Sequence, residues 1–98
     1  MKRREVRFAV GADDDLVRLF EFLAASDIQT ARRALRAIRN ALKMAAAFPY
    51  SCRKASSERW LRECVVTLGR AGYVAAFAIE DDHILVLAVR HQREDDFE

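Results

Sequence analysis

The side chain best suited to chemistry in this sequence is His91, close to the last residue. An imidazole has an unperturbed pKa of about 6.5, so it can exchange protons at neutral pH. Metal-free cleavage of RNA needs proton transfer at the ribose 2′-hydroxyl and at the leaving 5′-oxygen, and it needs cations to neutralise the phosphate. Arg53, Arg62 and Arg90 could supply those cations. His91, Arg62 and Arg90 are therefore candidates for this chemistry.

The same residues also permit a structural interpretation. His91 could hydrogen-bond a neighbouring acid such as Glu94 and fix the end of a strand. Arg62 and Glu63 could form cross-strand ion pairs, each contributing about 0.2–1 kcal/mol. The acids after residue 93 would also repel an RNA backbone that approached His91. The sequence leaves both interpretations open.

The sequence predicts neither a metal nor a cofactor. Its two cysteines, Cys52 and Cys64, have a spacing that matches no common zinc pattern. Two cysteines do not make a disulfide framework, so we expect both to be reduced, with Cys64 packed in the core. The second histidine, His83, follows an acidic turn and is expected at the solvated start of a strand.

The charges are divided strongly along the chain, although the net charge is only +2. Residues 28–62 contain nine basic residues and one acid, whereas residues 80–98 contain seven acids and two basic residues. This division favours a surface for an anionic partner, either nucleic acid or an acidic protein segment, over a solvated helix face.

Two groups of residues are candidates for binding. The first steps by three and four residues along one helix face: Arg32, Arg36, Arg39 and Lys43. The second combines cations with aromatic rings and is the candidate target-binding or nucleic-acid-binding surface: Arg53, Lys54, Arg59, Trp60, Arg93 and Phe97. Tryptophan and arginine often dominate protein interfaces, but Trp60 could equally lie at the edge of the core.

Length and composition predict one folded domain over residues 1–98, because 98 residues leave no room for two independent cores. No apolar run reaches the roughly 18–20 residues of a membrane helix. The basic N-terminus is not followed by the apolar segment of a signal peptide. We therefore expect a cytoplasmic protein with no membrane partner.

Hydrophobic periodicity predicts the elements that position these residues. Alternation predicts a strand over residues 5–10, and spacings of three and four predict helices over 13–25 and 28–47. Asp13–Asp15 are expected to supply the N-cap and the first-turn acids of the first helix, and Ser26 or Asp27 the cap of the second. Strands at 60–68, 73–79 and 84–89 follow, with short turns that favour antiparallel pairing. The expected fold is α+β (β-α-α-β-β-β): an N-terminal strand and an antiparallel helical hairpin packed on a three- to four-stranded antiparallel sheet.

This order of elements resembles the RelE/ParE superfamily of bacterial toxins from type II toxin–antitoxin systems, over nearly the whole chain. The likeness is carried by a basic second helix that ends near Pro49, the Arg-Glu pair at 62–63, the Gly-Tyr pair at 72–73 and the closing His-Gln-Arg-Glu of residues 91–94. RelE-like nucleases usually carry a tyrosine near the C-terminus, where this chain offers Phe97. Its two tyrosines lie elsewhere, with Tyr73 expected to be packed. The likeness is therefore ParE-like rather than RelE-like.

The resemblance implies a toxin that inhibits growth by binding an essential target, expected to be DNA gyrase. It also implies a cognate antitoxin, whose acidic tail would pair with the row formed by Arg32, Arg36, Arg39 and Lys43. Operator DNA would be contacted only through the antitoxin, and such modules serve plasmid stabilisation. The alternative is a RelE-like mRNA interferase, a ribosome-dependent and metal-independent endonuclease, in which His91, Arg62 and Arg90 would be the catalytic residues. A second alternative, independent of the resemblance, is a non-catalytic nucleic-acid-binding module that uses the same helix face.

Overall fold

The computed structural model describes residues 3–92, which form a five-stranded sheet covered on one face by two helices. The α+β class and the order of the main elements are as predicted. In chain order the elements are β1 (Glu5–Phe8), α1 (Val10–Ala24), α2 (Ile28–Ala47), a 3-10 turn (Pro49–Ser51), β2 (Arg53–Lys54), β3 (Leu61–Leu68), β4 (Ala71–Ile79) and β5 (His83–His91). Within this part of the chain, no helix is long and apolar enough to cross a membrane.

The sheet has the strand order β1-β5-β4-β3-β2, so that β1 and β2 are its two edges. β3, β4 and β5 form the predicted antiparallel meander. The sheet differs from the expected three to four antiparallel strands in two respects: β1 runs parallel to β5, and β2 adds a fifth strand of two residues. A strand's own alternation does not encode the direction of its partner, and two residues are too few to show any alternation.

The first helix begins earlier than its acids predict. α1 starts at Val10, and its N-cap residue Ala9 makes no side-chain capping hydrogen bond, so the acids at 13–15 are not the cap. Asp13 lies in the first turn, where a carboxylate interacts favourably with the helix dipole. The side chain of Asp15 instead accepts a hydrogen bond from the backbone N–H of Val89 at 2.9 Å. That bond ties α1 to β5.

The second helix has the predicted bounds, Ile28–Ala47. Asp27 caps it, because its carboxylate accepts hydrogen bonds from the Thr30 hydroxyl and from the backbone N–H of Gln29, both at 3.0 Å. These bonds favour the charged carboxylate and lower the pKa of Asp27. Pro49 follows two residues after the helix ends, as expected for a residue that disfavours helix before it.

The core lies between the two helices and one face of the sheet. Its largest fully buried side chains include Ile38 and Leu42 from α2, Tyr73 and Phe77 from β4, and Ile84 from β5. β4 is the central strand and is buried on both faces, as its two-sided apolar pattern predicts. Tyr73 is 1% exposed, so the prediction that its ring is packed is confirmed.

Candidate binding surfaces and the predicted catalytic residues

Arg62 lies on the helix-covered side of the sheet and is held by backbone oxygens. Its Nη1 donates to the carbonyl oxygens of Cys52 at 2.9 Å and Tyr50 at 3.3 Å. Its guanidinium also lies 5.3 Å from the centre of the Tyr50 ring, a cation–π contact. Alternation places Cys64 on the same face, and its Sγ lies 3.8 Å from the carbonyl oxygen of Ala41 in α2. Arg62 therefore anchors the 3-10 turn to β3.

Glu63 points to the opposite, open face of the sheet, where two arginines bind it. Arg53 on β2 donates to Oε1 at 2.9 Å, and Arg90 on β5 donates to Oε2 at 3.2 Å. The Glu63 side chain is only 13% exposed. Cross-strand ion pairing is thus observed for Glu63, whereas Arg62 bonds to backbone carbonyls. The shared carboxylate ties β2, β3 and β5 together.

His91 lies at the other end of the sheet from Arg62. It is opposite Tyr73 on β4, and the two rings meet edge to face with centroids 5.2 Å apart. Arg62 is opposite Phe77, four residues further along β4, which is about 13 Å at roughly 3.3 Å per residue. Arg90 precedes His91 and so points to the other face. The structure does not bring His91, Arg62 and Arg90 together around one point, and Glu94 lies outside the described residues.

Exposed apolar side chains, here called the β2-edge surface, lie along the chain between the end of α2 and the start of β3. Met44, Phe48, Tyr50 and Trp60 are each 59–67% exposed, and Arg53, Lys54 and Arg59 lie between them in the sequence. Trp60 is therefore an exposed side chain rather than part of the core. The sequence analysis missed Met44 and Phe48. Met44 could have been found, because an apolar residue that lies off the buried stripe of α2 is expected to be exposed. Arg93 and Phe97, also assigned to target binding, lie outside the described residues.

A groove, the β1-edge groove, lies between α2 and the opposite edge of the sheet. It has a volume of about 670 Å³, an apolar floor of Val6, Phe8, Leu42 and Ala46, and a rim of Arg3, Arg4, Glu5, Arg39 and Lys43. A neighbouring hollow of about 350 Å³ is lined by all four predicted row residues, Arg32, Arg36, Arg39 and Lys43, beside Phe20, Leu35 and Asn40. Arg3 and Arg4 were missed, because their place beside α2 depends on β1 joining the sheet.

A comparison with protein-family models distinguishes the ParE-like from the RelE-like branch of the superfamily. Residues 6–96 match the model of a family described as "ParE toxin of type II toxin-antitoxin system, parDE". The chain belongs to the ParE toxin family. It is the toxin component of a type II toxin–antitoxin module, whose other component is a cognate antitoxin. The ParE-like resemblance is thereby confirmed.

The fold of this ParE-family chain is similar to that of a solved structure described as "Chromosomal ParDE TA system from P. aeruginosa". The TM-score is 0.73, and the match covers 91% of this chain and 96% of that chain. At 18% sequence identity, the likeness shows the fold. A comparison with curated protein sequences finds no match.

The two surfaces of this ParE toxin differ in how their cations are occupied. At the β2 edge, Arg53 is paired with Glu63 and Arg62 is bonded to carbonyl oxygens. Among the described residues, Arg39 and Lys43 form no ion pair, and the groove between them and β1 contains one acid, Glu5, which is itself paired with Arg7 at 2.9 Å. The β1-edge groove therefore presents uncompensated positive charge over an apolar floor, whereas the β2-edge surface is mainly apolar.

The remaining reactive groups are the two cysteines and the side chains that could bind a metal ion. Both cysteines are free thiols; Cys64 is buried as predicted, and Cys52 is half-buried. Burial raises the pKa of Cys64 to about 11 and also raises the pKa of Cys52. Within residues 3–92, no three His, Cys, Asp or Glu side chains are grouped so that they could hold a metal ion.

Proposed function

We propose that this ParE-family toxin inhibits growth by binding an essential protein target, DNA gyrase, and not by cleaving RNA. The observation that carries the proposal is the β2-edge surface, on which Met44, Phe48, Tyr50 and Trp60 are all more than half exposed. Aromatic residues, methionine and arginine are the residue types enriched in protein interfaces. The choice of gyrase rests on the ParE-like resemblance.

The separation of the predicted catalytic residues supports binding over catalysis. Proton transfer and phosphate neutralisation must occur at one phosphodiester, which requires the acid–base group and the cations to converge. Arg62 is bonded to the carbonyls of Tyr50 and Cys52, and His91 packs against Tyr73 several residues away along the sheet. The assignment of His91, Arg62 and Arg90 as a nuclease centre stays a prediction without geometric support.

We also propose that the antitoxin neutralises the toxin by laying an acidic, amphipathic segment in the β1-edge groove. Carboxylates would pair with Arg39, Lys43 and the neighbouring row residues, while apolar side chains would cover Val6 and Phe8. Complementary charge of this kind steers association and fixes the register of the partner. The apolar floor would supply binding energy in proportion to the area buried.

Expression of the chain by itself, compared with co-expression of the chain and its antitoxin, tests both proposals. We expect growth arrest without the antitoxin, inhibition of purified gyrase in a supercoiling assay, and no new mRNA ends in the arrested cells. His91→Ala should leave the arrest intact, provided that circular dichroism shows the variant to be folded. Ribosome-dependent mRNA cleavage that is abolished by His91→Ala would instead establish the interferase, and arrest with neither effect would exclude both targets.

A further inference from the structure

The pairing of β2 with β3 brings two thiols opposite each other at the edge of the sheet. These strands run antiparallel, with Lys54 opposite Arg62 and Arg53 opposite Glu63. One more step in the same register places Cys52 opposite Cys64. Cys52 has extended backbone angles, φ −80° and ψ 151°, so the chain is still strand-like at that residue.

The hydrogen-bond pattern of this strand pair sets the spacing of the two cysteines. The backbone N–H of Ala55 donates to the carbonyl oxygen of Leu61 at 2.9 Å, which makes these two residues a hydrogen-bonded pair. Such pairs alternate with non-hydrogen-bonded pairs, so Cys52 and Cys64 form one of the latter, in which Cα atoms are about 4.5 Å apart. Disulfides form across Cα separations of about 4.4–6.8 Å.

The side chains of this pair also share a face. Cys64 belongs to the core cluster under α2, and Cys52 packs against that cluster. The two thiols are close enough for each to contribute to the shift in the pKa of the other. The residues between them include four of the candidate target-binding residues, Arg53, Lys54, Arg59 and Trp60.

We propose that Cys52 and Cys64 are a reversible disulfide site, closed by thiol–disulfide exchange with a small-molecule disulfide such as oxidised glutathione. The more accessible Cys52 loses its proton to solvent, attacks one glutathione sulfur and expels one glutathione thiolate. Cys64 then loses its proton, attacks the Cys52 sulfur of the mixed disulfide and expels the second glutathione thiolate. Two protein thiols thus become one disulfide, and one glutathione disulfide becomes two thiols.

The environment of the pair makes this exchange slow at neutral pH. Burial raises the pKa of both thiols, and the nearby positive charge of Arg62 only partly offsets this for Cys52. The thiolate is the nucleophile in this exchange. The reduced form of the Cys52–Cys64 pair therefore persists until oxidised glutathione is abundant or the pH is mildly alkaline. The site does not depend on the identity of the toxin's target.

Tryptic mapping of the purified full chain after incubation with oxidised glutathione at mildly alkaline pH tests the proposal directly. Trypsin cleaves after Arg53, Lys54, Arg59 and Arg62, so every complete digest separates Cys52 from Cys64 unless a disulfide joins their peptides. We expect the joined peptide, a loss of two hydrogen masses from the monomer, and full reversal by dithiothreitol. The closed loop should also raise the Tm by about 10 °C.

Single variants keep the test independent of folding defects. Cys64→Ala should hold glutathione on Cys52 as a stable mixed disulfide, and Cys52→Ser should react far more slowly, because Cys64 is buried. In the unmodified chain, a mixed disulfide that is never resolved, a disulfide between two chains, or a lower Tm on closure would each overturn the proposal.

Discussion

The two edges of the sheet offer opposite kinds of surface. At the β1 edge, the basic side chains of α2 and the N-terminal arginines surround a groove with an apolar floor. One acid, Glu5, lies in the lining of that groove. At the β2 edge, Met44, Phe48, Tyr50 and Trp60 are exposed, while Arg53 and Arg62 are engaged within the chain. The same long helix contributes to both surfaces, through faces on opposite sides of its buried stripe.

The contrast between the edges suits the two proposed partners, which differ in their chemistry. An uncompensated cationic groove attracts an acidic segment at long range, and its affinity falls as salt screens the charges. An apolar surface on which Arg53 and Arg62 are engaged within the chain depends mainly on desolvation and shape, which salt affects little. We therefore expect the two interactions to be separable by mutation and by ionic strength.

The largest expected effect is at the β2 edge. Replacement of both Trp60 and Tyr50 by alanine should weaken binding to gyrase about 100-fold or more, since truncation of an interface aromatic commonly costs about 2 kcal/mol. The measurement is the concentration of toxin that inhibits supercoiling by purified gyrase. Phe22→Ala is the matched control, because Phe22 is 72% exposed but lies on α1.

The same double variant should bind the antitoxin as the unmodified chain does. A comparable loss of antitoxin affinity would show that the two surfaces are one. An equal effect of Phe22→Ala on gyrase inhibition would move the target surface away from the β2 edge.

The next largest effect is expected in the β1-edge groove. Reversal of two charges, Arg39→Glu together with Lys43→Glu, should weaken antitoxin binding about 10- to 100-fold at low salt, because like charges replace attractive pairs. The variant should still arrest growth, and the antitoxin should no longer rescue it. Titration calorimetry at two salt concentrations should also show a smaller salt dependence than in the unmodified protein.

Arg33→Glu provides the control for this charge reversal. Arg33 lies on α2 but lines neither the groove nor the neighbouring hollow. If Arg33→Glu lowered antitoxin affinity as much as the double reversal does, the affinity would depend on the net charge of α2 and not on the β1-edge groove.

A moderate effect is expected from Glu63→Gln, which removes the carboxylate shared by Arg53 and Arg90. The exposed Arg53 and the partly buried Arg90 would both lose a charged partner, at a cost of about 1–2 kcal/mol in the free energy of unfolding, or roughly 5–15 °C in Tm. The released charge should also make target binding more salt-dependent. Glu58→Gln, a change at an exposed acid in the loop just before β3, should alter neither quantity. Unchanged stability of Glu63→Gln would contradict the bridging role.

The smallest effect is expected at the N-cap of α2, which supports both surfaces. The folded-state pKa of Asp27 is lowered by Thr30 and Gln29, so its contribution is present above its unfolded pKa and is lost as the pH falls through the lower folded value. Asp27→Ala should lower the Tm slightly at neutral pH and should remove that part of the acid dependence. Thermal melts between neutral and acidic pH measure both changes. If Asp27→Ala weakened the binding of only the target or only the antitoxin, that would contradict an equal role for α2 in both surfaces.

The sequence predicted the helices better than it predicted the sheet, for a local reason. The stripe through Ile38 and Leu42, the cap at Asp27 and the stop near Pro49 are each recognised from residues that are close together in the sequence, so α2 was predicted with its correct bounds. Strand β1 was found from its alternation, but its parallel partner lies more than 70 residues away in β5. The start of α1 was misplaced, because Ala9 begins the helix through its backbone carbonyl and makes no side-chain capping bond that the sequence could reveal.

Patterns of charge along the chain identified the basic row of α2 and the cationic segment before β3, because charge and periodicity are properties of neighbouring residues. Only the tertiary structure decided that Arg3 and Arg4 join that row, that Trp60 is exposed, and that Arg62 and Arg90 lie on opposite faces. Convergence in space depends on which strands pair and in which register. Those pairings are set by contacts between residues far apart in the sequence, which no local pattern records.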